Sequence, residues 1–385
     1  MLDPLPLDTF LDEILGKTFV RLEGARHPTQ RRGLLGEDAA ATLLTDFDRL
    51  SSEMTYHVAE PKGPPPPIAR AADPADFKAR IESFHAAGYT VRLPKVRKLG
   101  SDLDLFMRAL EAVFHKPAEA AVFWSRGDAK APVHHDDCDL IAIQLAGRKR
   151  WYLSTEPSEL PNDWKTIPRK PETLGNHKQI DMQTGDLLYL PRGTIHTVDG
   201  LADSIHVSIG FVPLTLREAM IACIDQLSDF NRPLRDMVAP RLGVLAQSGD
   251  FGRIPDQVRQ GMAWLTDACR NDSFVAGALQ RRSARAVSDM EKPKPPRANS
   301  ALGASSRVRH AELAICHLSG DENRIDFAYP GGHQYVHRGA EQSVLFIART
   351  PEFRIKDVPG DIDDDVRIAL VGKLVEAGFL DVVEN

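Results

Sequence analysis

The stretch PVHHDDCDLIAIQLAGRKRW, residues 132–151, decides the fold that this sequence predicts. Its second half alternates and is rich in apolar residues, a pattern that favours a β-strand. Side chains two residues apart on a strand point to the same face. His134 and Asp136 would therefore project together, and so would His135 and Asp137. Either pair places an imidazole beside a carboxylate.

Such a pair supplies two of the three ligands of a 2-His-1-carboxylate facial triad, which leaves coordination positions open on Fe(II) for oxygen chemistry. His196 is the candidate for the third ligand. It ends the segment GDLLYLPRGTIH, residues 185–196, in which an apolar strand runs into a Pro/Gly turn. A His-x-Asp pair alone is weak evidence, because 13 histidines and 54 acidic residues produce such spacings by chance. The conjunction of the two segments is more specific.

The motifs occur in a set order: His-x-Asp, a strand ending in QLAGRKRW, the turn GDLLYLPRGTIH, and then SIHVSIGF at residues 204–211. In this order they resemble the JmjC-type oxygenases, and more narrowly the ribosomal-oxygenase (cupin-4) branch, over about residues 120–212. The resemblance implies an α+β protein built on a double-stranded β-helix, the cupin/JmjC barrel. It also implies an Fe(II)- and 2-oxoglutarate-dependent dioxygenase.

The resemblance also chooses between the two metal pairs. Family members carry an acidic residue three positions after the ligand Asp and a Gln five further on, which here fits Asp136 with Asp139 and Gln144. The implied catalytic residues and metal ligands are His134, Asp136 and His196. The register shifted by one residue, with His135 and Asp137, is the alternative.

A cation is expected near the metal, because the far carboxylate of 2-oxoglutarate is costly to bury unless it is paired. Lys149 matches the family's cation for this role, and strand alternation places Arg148 and Arg150 on the opposite face. Ser204 matches a hydroxyl that hydrogen-bonds the same carboxylate in the bacterial branch. The alternatives are a solvated charge for Lys149 and an ordinary strand serine for Ser204. His206 lies two residues after Ser204 and therefore on the same strand face. It either supports the metal ligands or faces the substrate, and the alternative is a histidine packed in the core.

Composition bounds the class of protein. With 385 residues, 42% hydrophobic and 26% charged, the chain predicts two or three globular domains. A net charge of −6 argues against an overall basic field that would hold nucleic acid. The four cysteines are scattered and show no zinc or disulfide pattern. The N-terminus lacks the features of a signal peptide and no long apolar stretch occurs, so a cytoplasmic protein is expected.

Changes in composition and in the spacing of apolar residues along the chain predict four regions. They are a JmjC/cupin catalytic domain at 1–213, a helical region at 214–280, a linker at 281–306 and a winged-helix-like domain at 307–385. The helical region resembles the dimerisation region of the ribosomal oxygenases, which predicts a homodimer; a helical layer on a monomer is the alternative. An acidic run at 361–365 would repel phosphate, so direct DNA binding is not expected.

Apolar spacing predicts the individual elements. Helices are expected at 5–15, 36–50, 73–87, 101–115, 214–227, 232–247, 254–270 and 363–378. Strands outside the motifs are expected at 17–22, 89–93, 120–124, 325–329 and 343–348.

The predicted function is hydroxylation of a side chain in a protein or peptide, with a ribosomal protein as the best single substrate. Three alternatives remain: the same chemistry on a free amino acid or biosynthetic peptide, a cupin that binds another metal and does other chemistry, and a non-catalytic binding module. Histone demethylation has no support in the sequence.

Overall fold

The computed structural model describes residues 2–24, 31, 33–157, 160, 173–238, 242–293 and 302–383. The chain divides into two compact units. The first comprises residues 1–113 and 118–213, and the second comprises residues 114–117 and 214–385.

Helices in the first unit precede most of its strands. They are α1 (Leu7–Thr9), which continues as a π-helical turn (Phe10–Ile14), α2 (Ala39–Leu44), α3 (Phe47–Glu53), α4 (Pro74–Ala86) and α5 (Ser101–Phe114). The predicted helix at 36–50 is wrong as a single element, because it is interrupted after Leu44 and restarts at Phe47. Asp38 caps α2 and Asp46 precedes α3, so two acidic residues with cap preference lie inside one apolar period.

The strands of the first unit form two antiparallel sheets. They are β1 (Val20–Leu22), β2 (Thr55–His57), β3 (Thr90–Pro94), β4 (Glu119–Ser125), β5 (Asp139–Ala146), β6 (Arg148–Ser154), β7 (His177–Gln183), β8 (Leu187–Leu190), β9 (His196–Gly200) and β10 (Ser204–Phe211). The large sheet has the order β1-β8-β5-β10-β4-β3-β2, and the small sheet has the order β7-β6-β9. The predicted JmjC/cupin type of fold is confirmed.

The interior between the sheets contains a buried apolar cluster. Leu140 and Ala142 of β5 pack with Trp151 and Leu153 of β6 and with Met182 of β7, all of them buried.

Gly147 links β5 to β6 with a φ of +68°, and a Cβ there would lie 1.9 Å from the backbone oxygen of Asp203. Only glycine fits this crossover, which explains its place in the Gly-Arg-Lys-Arg-Trp motif.

The second unit combines helices with two small sheets. Its helices are α6 (Leu216–Phe230), α7 (Leu242–Ser248), α8 (Ile254–Ala268), α9 (Asp272–Asp289), α10 (Glu341–Arg349) and α11 (Asp364–Glu376). Its strands are β11 (Arg307–His310), β12 (His317–Gly320), β13 (Arg324–Tyr329), β14 (Gly332–His337), β15 (Glu352–Arg354) and β16 (Leu380–Val383). The sheets have the orders β15-β11-β16 and β12-β13-β14. The winged-helix assignment stays a prediction.

Three predictions in this unit are wrong in their local structure. The predicted strand at 343–348 lies in helix α10, where Val344 and Ile347 are buried at helical spacing. Helix α9 extends to Asp289, so the first part of the predicted linker is helical; residues 294–301 of that linker lie outside the described residues. The predicted helix at 232–247 is a 3₁₀ turn (Arg232–Arg235) followed by α7. Across the described ranges, no helix combines the length and apolar character needed to cross a bilayer.

Candidate metal centre

Three side chains with metal-ligand chemistry converge at one end of the small sheet. Ligand atoms of His134, Asp136 and His196 all lie within 4.8 Å of one another. Nε2 of His196 is 3.7 Å from Oδ2 of Asp136, and the two imidazole centroids are 4.3 Å apart. In the part of the chain that the structure describes, this is the one group of three or more such residues. The donor set, two imidazole nitrogens and one carboxylate, suits a divalent transition metal such as Fe(II).

Backbone pairing brings the two histidines together. The amide of His134 donates to the carbonyl of His196 (3.0 Å), and the amide of His196 donates back to His134 (2.8 Å). The carbonyl of Asp136 accepts from the amide of Gly193 (2.9 Å), which ties the ligand loop to the turn before His196. The expectation that the pair lies on a regular strand is wrong, since β5 begins only at Asp139. An isolated bridge to His196 replaces strand alternation as the positioning device.

Each histidine presents the same ring nitrogen to the site. Nδ1 of His134 lies 2.9 Å from the carbonyl of Pro132, and Nδ1 of His196 lies 2.9 Å from the carbonyl of Thr194. A carbonyl can only accept, so both Nδ1 atoms carry the hydrogen. The Nε2 lone pairs are therefore left for a metal, and the two carbonyls fix the ring orientations.

Burial also keeps His196 neutral. The side chain is buried, and this burial, followed by the neighbouring His134 ring, lowers the pKa of His196 to about 4. A neutral imidazole is the ligand form that a metal requires. The alternative pair, His135 and Asp137, contributes no ligand atom to the three-residue group.

A buried lysine lies on the inward face of the small sheet. Lys149 is only 3% exposed, whereas its neighbour Arg148 is exposed and Arg150 forms an ion pair with Asp181. Its Nζ is 2.9 Å from Nδ1 of His206. Burial lowers the pKa of Lys149 to about 7. Among the described residues no carboxylate pairs with this ammonium.

His206 connects the lysine to the metal ligands through aromatic contacts. Its ring stacks on Phe123, with centroids 5.0 Å apart and planes 7° apart. It also meets Trp151 edge-on at 5.6 Å, and Trp151 in turn stacks on His196 at 5.6 Å. Burial, and then the charge of Lys149, lowers the pKa of His206 well below its usual value. The sequence left the role of His206 open, and the structure places it against Lys149.

The other predicted residues are also placed in the barrel. Ser204 is 2% exposed, and its Oγ lies 3.2 Å from Oγ of Ser125. Asp139 accepts a hydrogen bond from the hydroxyl of Tyr189. Gln144 is fully buried, and its Nε2 donates to the carbonyl of Ala146 at 2.7 Å. The role of Ser204 as a ligand contact stays a prediction.

Buried polar atoms that lack a hydrogen-bond partner within the described residues indicate which class of ligand this interior can bind. Nε1 of Trp151 and Oε1 of Gln144 are buried and have no hydrogen-bond partner within the described residues. Buried donors without partners are rare in folded proteins. A buried ammonium that lacks a carboxylate, beside an unused indole N–H, fits an anionic ligand with several oxygen atoms.

Sequence reasoning missed one residue of the site. His57, on the short strand β2, meets Phe123 edge-on at 5.6 Å. Burial, followed by the charges of Lys149 and His134, lowers the pKa of His57 to about 4. A single histidine in a three-residue strand, far from every motif, gives no signal in the sequence.

Comparisons with known proteins agree with this geometry. Residues 101–219 match the family model described as the JmjC domain. The matched residues therefore carry a JmjC domain, and the chain is also similar to two curated ribosomal oxygenases. It is 27% identical over 348 residues to ribosomal oxygenase 1 of Rattus norvegicus, covering 77% of this chain and 58% of that protein. It is 32% identical over 139 residues to ribosomal oxygenase 2 of the same organism, covering 35% of this chain and 30% of that protein.

A solved structure extends the likeness of the JmjC protein beyond its barrel. The structure of YcfD, a ribosomal oxygenase from Escherichia coli in complex with cobalt and 2-oxoglutarate, has a TM-score of 0.54 and covers 99% of both chains. At 16% identity this likeness shows the shared fold. The chain spans 30% and 58% of the two rat relatives, so only part of each is compared.

Proposed function

We propose that this JmjC protein is an Fe(II)- and 2-oxoglutarate-dependent dioxygenase that hydroxylates a side chain of a protein or peptide. The observation that carries the proposal is that three potential metal ligands share a barrel with a buried ammonium that has no carboxylate partner among the described residues. YcfD, which shares the fold, is described with cobalt and 2-oxoglutarate, which supports the same pair of ligands here.

His134, Asp136 and His196 would hold the metal on one side and leave its other side open to 2-oxoglutarate. When bound, Fe(II) and 2-oxoglutarate activate oxygen for insertion into a C–H bond, with decarboxylation of 2-oxoglutarate to succinate. The protein supplies orientation: two backbone carbonyls fix the imidazoles, and Asp136 is tied through its own carbonyl to Gly193.

Lys149 would bind the far carboxylate of 2-oxoglutarate. Its ammonium is buried and no acidic side chain competes for it among the described residues. A buried carboxylate that lacks a partner is strongly disfavoured, so this one pair selects a dicarboxylate over a monocarboxylate. The ring of Phe123 stacks on His206, and the ring of Trp151 lies between His206 and His196, so both would help to keep water from the bound ligand.

The substrate that we propose is a side chain of a ribosomal protein. Both rat relatives are named ribosomal oxygenases, which is support by analogy. We favour hydroxylation over demethylation as the outcome, and a free amino acid or biosynthetic peptide is the competing substrate class.

We further propose that the second unit forms a homodimer and that the protein acts in the cytoplasm. Large apolar side chains on α6 are solvent-exposed, with Leu216 at 78% and Phe230 at 77%. Exposed apolar patches of this kind mark protein interfaces. The four cysteines are all unpaired, as expected for a reducing compartment.

Succinate formation tests the chemistry. Purified protein with Fe(II) and 2-oxoglutarate should release succinate in air and none without oxygen, and Asp136→Ala should release none in either.

Mass spectrometry of ribosomal proteins from cells with and without the gene tests the substrate, and one added oxygen atom on a single protein is the expected difference. Absence of succinate in air would overturn the dioxygenase, whereas unchanged ribosomal masses would overturn only the substrate.

A further inference from the structure

The lysine proposed to bind 2-oxoglutarate has one polar partner in the part of the chain that the structure describes. Nζ of Lys149 lies 2.9 Å from Nδ1 of His206, and the two side chains are 3% and 5% exposed. Within the described residues no other polar group contacts this ammonium. A buried cation normally pairs with a carboxylate, so a histidine as its sole partner calls for a functional reason.

The histidine ring is held on two sides. Phe123 stacks on it at 5.0 Å with an interplanar angle of 7°, and Trp151 meets it edge-on at 5.6 Å. These contacts leave the ring little freedom to rotate about its bonds. The direction from which Nδ1 meets Lys149 is therefore fixed by packing.

An ammonium has three N–H donors in tetrahedral directions. When one of them is bound to a fixed acceptor, the other two point in fixed directions as well. Two remaining donors match the two oxygens of a carboxylate. A neutral acceptor achieves this orientation without neutralising the charge that attracts the ligand.

We propose that His206 is a positioning residue whose Nδ1 accepts one hydrogen bond from Lys149 and thereby aims the other two at the far carboxylate of 2-oxoglutarate. The inference rests on the proposed function, because it takes 2-oxoglutarate as the ligand of Lys149. It requires the neutral His206 ring with its hydrogen on Nε2. Burial favours the neutral form.

Three variants separate this role from a structural one. His206→Phe keeps a ring on Phe123 and removes the acceptor. His206→Asn loses the ring and returns an acceptor oxygen at the same number of bonds from the backbone. The matched control is His85→Phe, since His85 is also buried (7% exposed) but bonds the carbonyl of Trp124 at 3.0 Å.

Calorimetry on the full chain, with Mn(II) in the metal site and without oxygen, measures the binding of 2-oxoglutarate and of pyruvate. Pyruvate has the chelating keto acid but no far carboxylate. In His206→Phe the Kd for 2-oxoglutarate should rise about tenfold or more, the scale of a lost hydrogen bond to a charged group. The Kd values for pyruvate and for Mn(II) should stay within about twofold of the unmodified protein. His206→Asn should recover most of the lost affinity, and His85→Phe should bind normally.

A double substitution asks whether His206 acts through Lys149. In a Lys149→Met background, His206→Phe should weaken 2-oxoglutarate no further, because the group that it positions is gone. An additive loss, or an equal loss for pyruvate, would overturn the positioning role. If the unmodified protein does not bind 2-oxoglutarate, or if Lys149→Met binds it normally, the proposed function fails as well.

Nitrogen NMR of the unmodified, histidine-labelled protein with Zn(II) in the site keeps the test decisive if a variant does not fold. With 2-oxoglutarate bound, His206 should be a neutral ring protonated on Nε2 and bare on Nδ1. A ring protonated on Nδ1 would contradict the proposal.

Discussion

Replacing Lys149 by methionine should change stability and ligand binding in opposite directions. Burial lowers the pKa of Lys149 from 10.5 to about 7, which near neutral pH corresponds to about 4–5 kcal/mol of stability lost by keeping the lysine inside. Methionine fills most of the same volume without that loss. It also leaves Nδ1 of His206 without a hydrogen-bond donor, which lowers the free energy of unfolding by about 1–3 kcal/mol. The net expectation is a gain of about 1–4 kcal/mol in the ligand-free protein.

Thermal unfolding after chelator treatment measures the gain. For a unit of this size, about 1 kcal/mol shifts Tm by about 2–4 °C, so Tm should rise by several degrees. The same variant should bind 2-oxoglutarate at least about 100-fold more weakly, because the far carboxylate is left buried and unpaired. Arg150→Met is the control, since that cation lies on the opposite face and pairs with Asp181. A lower Tm together with normal 2-oxoglutarate affinity would refute the assignment of Lys149.

Three further outcomes follow from the geometry. Asp136→Ala should abolish metal binding in calorimetry, whereas His135→Ala should keep succinate formation within about threefold; the reverse pattern would favour the shifted register. Burial lowers the pKa of Lys149 to about 7, and the described titratable groups whose pKa its charge affects are His57, His85 and His206, so the Kd of 2-oxoglutarate should rise about tenfold per pH unit above 7; a flat profile would contradict the lysine anchor. Phe230→Glu on α6 should convert a dimer into monomers in sedimentation, and an unchanged mass would remove Phe230 from the interface.

The sequence predicts the ligands better than it predicts how they are held. Strand alternation correctly separates buried Lys149 from its two arginine neighbours, since the period of a strand is local. His134 is different, because a backbone bridge to His196, 62 positions away (196 − 134), holds it, and no local pattern shows such a bridge. His57 and the contact between His206 and Lys149 were likewise invisible, since they join distant strands.

Errors in the second unit have a different physical origin. The run from Ser343 to Ala348 is apolar and short, so its period is ambiguous between helix and strand. Packing decides it: Val344 and Ile347 are buried one helical turn apart in the core of that unit. The predicted linker at 281–306 begins inside α9, because Ala284 and Val287 bury one face of that helix.

The proposed role of Lys149 explains why no carboxylate lies beside it among the described residues. A site that binds 2-oxoglutarate must leave the charge of the ammonium available for the ligand. A carboxylate there would stabilise the free protein, but it would also compete with 2-oxoglutarate for the ammonium. Burial keeps His206 neutral, so it hydrogen-bonds the lysine without supplying the negative charge that the ligand would bring. A bound dicarboxylate would supply that charge, and Nε1 of Trp151, which has no partner among the described residues, is a further buried donor in this interior. On the proposed role of Lys149, low stability of the free site and selectivity for an anion would both follow from the missing carboxylate, so a single substitution at Lys149 is expected to reverse both.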